Sequence, residues 1–234
     1  MSIKTEVEKV IENVAEAARS SGRSPEDITI VAATKMNSAD RIRQAIEAGI
    51  KVAGENRVQE LLEKDAQGAY EGAKLHFIGT FQKNKVKYLV GRCDLIQSVD
   101  SVELMELISA RAEKIGTVQD ILIEVNIGRE AAKSGVLPEN LGTLIEKAAK
   151  LPGLHIRGLM AIPPISKEKG GNRNYFKAMY QLFVDIRGKK YDNVSMDFLS
   201  IGMSADYEDA IMEGANMVRI GTAIFGQRDY SRKS

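Results

Sequence analysis

The chain holds a single cysteine, Cys93, which excludes an internal disulfide and any cysteine-rich metal site. Histidine is almost as scarce. His76 and His155 are the two present, and neither has a partner at metal-ligand spacing, so each reads as a strand or core histidine. Charge of one sign is not in excess: 33 Lys and Arg face 32 Asp and Glu, a net charge of +1. A dedicated nucleic-acid binder needs a basic face. Lys83, Lys85, Lys87 and Arg92 are the nearest approach to one, and at helical spacing they read as a solvated helix face. No apolar run approaches the roughly 20 residues that span a bilayer. The N-terminus mixes acids and lysines in an amphipathic pattern unlike a signal peptide. There is no linker, low-complexity segment, P-loop or serine elbow. These absences lead to the expectation of a soluble cytoplasmic protein folded as one domain over residues 1–234.

What is present is an alternation. Residues 2–20 carry Ile3, Val7, Val10, Ile11, Val14, Ala17 and Ala18 at helical spacing, with Ser2 as a cap, and Gly22 and Pro25 end the run. Residues 28–35 form an apolar, β-branched strand that stops at Lys35, and Ser38 opens a helix that Gly49 ends. Further strand signals lie at 52–54, 75–79, 95–99, 121–125, 156–160, 198–200 and 217–220. Helix signals follow them at 58 onward, 82–90, 101–115, 138 onward, 175–186, 207–212 and through Ala223 and Phe225. Eight strand–helix units predict a single (β/α)8 TIM barrel of the α/β class with an extra N-terminal helix. That helix is expected either to close the barrel bottom or to pack beside the last helix. The most loop-like stretch is 163–174.

Fully apolar strands suit a sheet covered on both faces, and such barrels place their chemistry at the C-terminal strand ends. Read in order, those ends offer Lys35; Glu55 and Asn56; Gly79, Thr80 and Gln82; Ser98 and Asp100; Asn126; Met160; residues 200–204; and residues 219–222. Three stretches stand out. Lys35 is either a surface lysine opening a loop or an amine that attacks an aldehyde, which requires its proton to be lost through burial or a nearby cation. Residues 219–226 place Gly221 and Thr222 at a helix start after the eighth strand. Backbone amides attract anions there, and this barrel often holds phosphate there. The bland alternative is a glycine turn with a Thr cap. Residues 200–206 supply Ser200, Ser204 and Gly202 after the seventh strand, either as the other half of a phosphate cup or as an N-cap and turn.

Taken together, several stretches resemble the pyridoxal phosphate homeostasis family, related to the N-terminal barrel of alanine racemase. They are residues 33–35, 54–60, 76–79, 98–100, 133–135, 157–163, 200–206 and 218–226, and the likeness runs from Ile28 to Tyr230. The resemblance implies that Lys35 binds pyridoxal 5′-phosphate as an imine. It implies that Ser204, Gly221 and Thr222, helped by Ser200 and the Met203 backbone, hold the phosphate. Arg219 would face the pyridine nitrogen and Asn56 would lie beside the ring. Two departures are visible: Thr80-Phe81 stands where Pro-Leu is expected, and Ile201 where methionine is usual.

An arginine at the ring nitrogen disfavours its protonation and weakens the ring as an electron sink. Racemases of the related type add a base from a second domain. No strand-end tyrosine or histidine replaces it here, Tyr207 and Tyr230 being the nearest. The expectation is a monomeric cofactor carrier that keeps the free aldehyde low and passes it to apo-enzymes through transient contacts. The rivals are an amino-acid racemase and a sugar-phosphate barrel enzyme that uses Lys35 as an aldolase-type lysine. Lys133 is read either as a second anion site or as a surface cation.

Overall fold

The computed structural model describes residues 2–166, 168 and 170–227, so Tyr230 lies outside the described residues. Among them, eight parallel strands close into a barrel in chain order: β1 (Thr29–Ala33), β2 (Val52–Glu55), β3 (Lys74–Phe77), β4 (Leu95–Val99), β5 (Gln119–Glu124), β6 (Leu154–Met160), β7 (Val194–Met203) and β8 (Met217–Ile220). The barrel shuts where β1 pairs with β8, Val31 opposite Arg219. The helices are α1 (Ile3–Ser20), α2 (Ala39–Glu47), α3 (Val58–Asp65), α4 (Val86–Leu89), α5 (Val102–Lys114), α6 (Leu141–Ala148), α7 (Arg173–Arg187), α8 (Tyr207–Met212) and α9 (Thr222–Phe225). This is the (β/α)8 barrel that the alternation predicts.

Strand side chains alternate between faces, and both faces of these strands are buried. Val31, Val52, Ile78, Leu95, Leu122, Met160 and Met217 meet inside the barrel. Their outward neighbours, such as Ala53, Phe77 and Ile96, pack under the helices with Leu61, Leu104 and Ile108. Cys93 is buried in this outer layer, and burial with the neighbouring Asp94 pushes its thiol up to about 12.

α1 packs beside the last helices, one of the two placements expected for it, and its Ile11, Val14 and Ala15 also flank the barrel base. Val7, Val10, Val14 and Ala18 pack against Tyr207 and Ile211 of α8 and Ile224 and Phe225 of α9. Ser2 caps the helix, its hydroxyl accepting the Thr5 amide at 3.2 Å.

Two elements differ in length from the sequence pattern. Within 82–90 the α-helix is confined to Val86–Leu89, after a tight turn at Lys83–Lys85. Lys83 there pairs with Glu103 and Arg92 with Asp65, while Lys87 lies 4.9 Å over the Tyr88 ring. β7 is ten residues long where the apolar signal covered three. Its register against β8 shifts between Ser200 and Met203, the stretch that contains Gly202. Gly202 has φ +91°, and a Cβ there would come 2.6 Å from that of Ala210.

Gly79, just past β3, is needed for close backbone approach: a Cβ would lie 2.0 Å from the Asn56 carbonyl oxygen. Gly79→Ala is therefore expected to cost about 1–3 kcal/mol, as overpacking does. A denaturant titration at constant m-value reads the loss directly.

Candidate functional site at the barrel mouth

Lys35 follows β1 by two residues, and the chain on both sides of it is held. Before it, the Thr34 amide donates to the Gly54 carbonyl at 2.9 Å. After it, Met36 takes φ +62° and its amide donates to Glu60 Oε2 at 2.8 Å. The organiser is Glu55, a fully buried carboxylate at the end of β2. Its Oε2 accepts from Thr34 Oγ1 at 2.8 Å and Lys64 Nζ at 2.7 Å, and its Oε1 accepts the Asn56 amide at 2.9 Å. Lys64, reaching in from α3, also donates to the Thr34 carbonyl at 3.0 Å and to Glu60 at 2.9 Å. One ammonium thus ties β1, β2 and α3 together around the turn that bears Lys35. Burial pushes the Glu60 carboxyl up, but the Met36 amide and the Lys64 ammonium outweigh it and leave the group below its usual range.

Lys35 stands between two clefts. One, of about 530 Å³, is lined by Lys35, Arg41, Gly221, Thr222 and Phe225. The other, of about 430 Å³, holds Lys35, Asn56, Gly79 and Thr80. The Asn56 Oδ1 is buried with no hydrogen-bond donor among the described residues. Ser204 meets the start of α9: its hydroxyl oxygen accepts the Gly221 amide at 3.0 Å and the Ala223 amide at 3.3 Å. Amides converging on one oxygen are the donors an anion takes up at a helix start. A Cβ at Gly221 would touch Ala33 at 3.4 Å, ordinary van der Waals contact, so the turn lies close against the end of β1.

Arg219, on β8, lies inside the barrel at 5% exposure. Its Nη1 donates to the Ser200 carbonyl at 2.8 Å and the Ser200 hydroxyl at 2.7 Å, and its Nη2 donates to the Ala161 carbonyl at 2.9 Å. Burial pulls the guanidinium down to about 10, with Glu124 and Asp206 opposing, so it stays a cation at neutral pH. Ser200 therefore joins the arginine rather than the α9 turn, and Met203 gives its amide to Asp206 at 2.8 Å. Strand alternation is the reason: Ser200 points into the barrel, and the chain clears the mouth only after Gly202.

From Arg219 a hydrogen-bonded relay runs down the barrel interior. The Ser200 hydroxyl donates to Gln97 Oε1 at 2.7 Å, and the Gln97 amide donates to His76 Nδ1 at 2.9 Å. His76 is thereby fixed with its proton on Nε2. Burial, with Lys74 nearby, pulls its pKa down to about 3 from 6.5. The unfolded chain binds a proton between those values that the folded chain refuses. The contribution of neutral His76 to stability is thus complete above about 6.5 and lost as pH falls toward 3. His76→Gln is expected to flatten the fall of the denaturant midpoint across this window.

Residues with no strong sequence signal complete the mouth. Glu124, the last residue of β5, accepts from the Ser134 hydroxyl at 3.2 Å, and burial raises its pKa. Lys133 pairs with Glu130 and donates to the Pro163 carbonyl at 3.3 Å. His155 contacts Asp120 at 3.4 Å and Ser195 at 3.2 Å, away from the mouth.

A family model for the alanine racemase N-terminal domain matches residues 6–229, all eight strands. The pyridoxal phosphate homeostasis protein of Aquifex aeolicus is 44% identical over 227 residues, 95% of this chain and 96% of that protein. This chain belongs to the pyridoxal phosphate homeostasis family.

A solved structure, PipY of Synechococcus elongatus with PLP bound, is 30% identical at a TM-score of 0.79, covering 91% of this chain and 100% of that one. A protein of unknown function from Bifidobacterium adolescentis superposes at 0.89 with 33% identity, over 95% and 94% of the two chains. Thr80 and Phe81, expected from the sequence to depart from the family pattern, take different places. Phe81 is buried, its ring 5.7 Å from that of Phe77, and Thr80 is left on the mouth.

Proposed function

We propose that this chain binds pyridoxal 5′-phosphate through Lys35 and keeps the free cofactor in balance, without catalytic turnover. The observation that carries the reading is that Lys35 and the Gly221–Thr222 turn line one cavity of about 530 Å³. The size suits a small phosphorylated ring. When bound, the cofactor supplies an aldehyde carbon that a neutral lysine amine captures. The residues present fit it. Amides of Gly221 and Ala223, with Ser204 and Thr222, offer donors for the phosphate. The orphaned Oδ1 of Asn56 is an acceptor at the other side of Lys35.

Arg219 argues for holding rather than turnover. Its donors are shared with Ser200 and Ala161, its charge is permanent, and a cation at the ring nitrogen keeps that nitrogen unprotonated. Homologues carry the name of homeostasis proteins, and a relative's structure contains the cofactor. The chain on this reading is a cytoplasmic monomer that passes the cofactor to apo-enzymes by transient contact.

Titrating the protein with pyridoxal phosphate tests the reading. A saturable visible absorbance band is expected, and borohydride should fix the cofactor on the peptide that contains Lys35. No band, or label spread over surface lysines, would end it. In heavy water, no amino acid is expected to exchange its α-proton at a rate above that of free cofactor, and rapid exchange would favour a racemase instead.

A further inference from the structure

The barrel has a second cavity, of about 480 Å³, at its opposite end, where the N-terminal ends of the strands open beneath α1. Its walls are mostly apolar, built from Val14, Ile30, Ile50, Leu95, Phe198 and Met217. The chemistry at the mouth does not use it. In size it falls within the range of small-molecule sites, roughly 300–1,000 Å³.

The polar groups at this cavity are not evenly engaged. Arg157 is taken by Asp120 and by Asp197, the latter at 2.6 Å. Asp94 accepts the Leu75 amide at 2.7 Å. Lys51 and Lys74 line the cavity with no ion pair among the described residues. His76, buried on the floor, spends its Nδ1 on Gln97, which leaves Nε2–H as a donor with no acceptor among the described residues. The cavity therefore combines an apolar body, a histidine N–H that opens on it and two cations with no ion pair among the described residues.

We propose that this basal cavity is a second binding site, for a small organic anion with an apolar body such as an aryl or alkyl carboxylate. The carboxylate accepts from His76 Nε2–H and lies near Lys74, while the hydrocarbon part replaces water along Ile30, Leu95 and Phe198. An acid of this kind meets the histidine N–H, the Lys74 cation and the apolar wall together. A neutral molecule leaves the lysines unpaired, and an inorganic anion leaves the apolar wall wet.

The probe is 3-phenylpropionate, with 3-phenylpropanol as its neutral counterpart. Binding is followed by calorimetry and ligand-observed NMR on the full chain and on Lys35→Ala, both without pyridoxal phosphate. The result is thus independent of whether the mouth holds that cofactor. Expected is one saturable site for the acid in both proteins, with the alcohol about tenfold weaker or more. Lys74→Met, at an exposed position, should weaken the acid about tenfold and leave the alcohol unchanged. Ala15→Phe, which projects a ring from α1 into the cavity, should abolish binding of both, with circular dichroism confirming the fold. Equal affinity for acid and alcohol would show an apolar dimple only and overturn the proposal. So would no saturable binding at millimolar concentration, or acid binding untouched by either variant.

Discussion

Lys35→Ala is expected to abolish the visible band that pyridoxal phosphate produces with the wild-type chain, and to weaken binding at least about tenfold, or 1.4 kcal/mol. The argument is local. Lys35 is the amine shared by the two mouth clefts, on a turn whose backbone Thr34 and Met36 hold through their own bonds. What remains of the affinity then measures the Ser204–Gly221–Thr222 cradle alone, and inorganic phosphate should compete with it. An unchanged band in Lys35→Ala would move the capturing amine elsewhere and sink the proposed function.

The second large effect lies one shell behind. Lys64→Met leaves the Glu55 carboxylate buried with no cation, and breaking one partner of a buried pair typically costs about 3–5 kcal/mol. The variant should also form the visible band less completely, because the Thr34 carbonyl and Glu60 lose the ammonium that holds them around the Lys35 turn. Adding Glu55→Gln removes the orphaned charge and should restore part of the stability. Denaturant midpoints of the two singles and the double form a cycle that isolates the coupling. If Lys64→Met is as stable as wild type, the network is not holding the turn.

How legible this was in the sequence varied with the kind of signal. β1 was readable because Val31 and Ala32 are buried on opposite faces and Ala33 is half-buried beside them, leaving an apolar run that ends just before Thr34 and Lys35. β7 was read as three residues because Ser195 and Asp197 interrupt the pattern. Both serve polar contacts at the barrel base, to His155 and Arg157. Lys64 had no signal at all: on a helix rich in Glu and Lys it looks like a solvated charge, and only the fold brings it to Glu55. Ser200 was grouped with Ser204 by nearness in sequence, yet strand alternation and the shift around Gly202 separate them, one under Arg219 and the other at α9. His76 looked like a core histidine, which is where it sits. That its second nitrogen opens on a cavity depends on Gln97 lying across the barrel.

Cys93 carries one more consequence. It is the chain's sole thiol, enclosed in the outer layer and far above its ordinary ionisation range. Maleimide and iodoacetamide reagents need an accessible thiolate, so the native protein is a silent background for them. Ile165 stands 92% exposed on the segment between β6 and α7. A cysteine placed there would be the single site to take a fluorophore, ready to report on encounters at the rim while leaving every group in the mouth untouched.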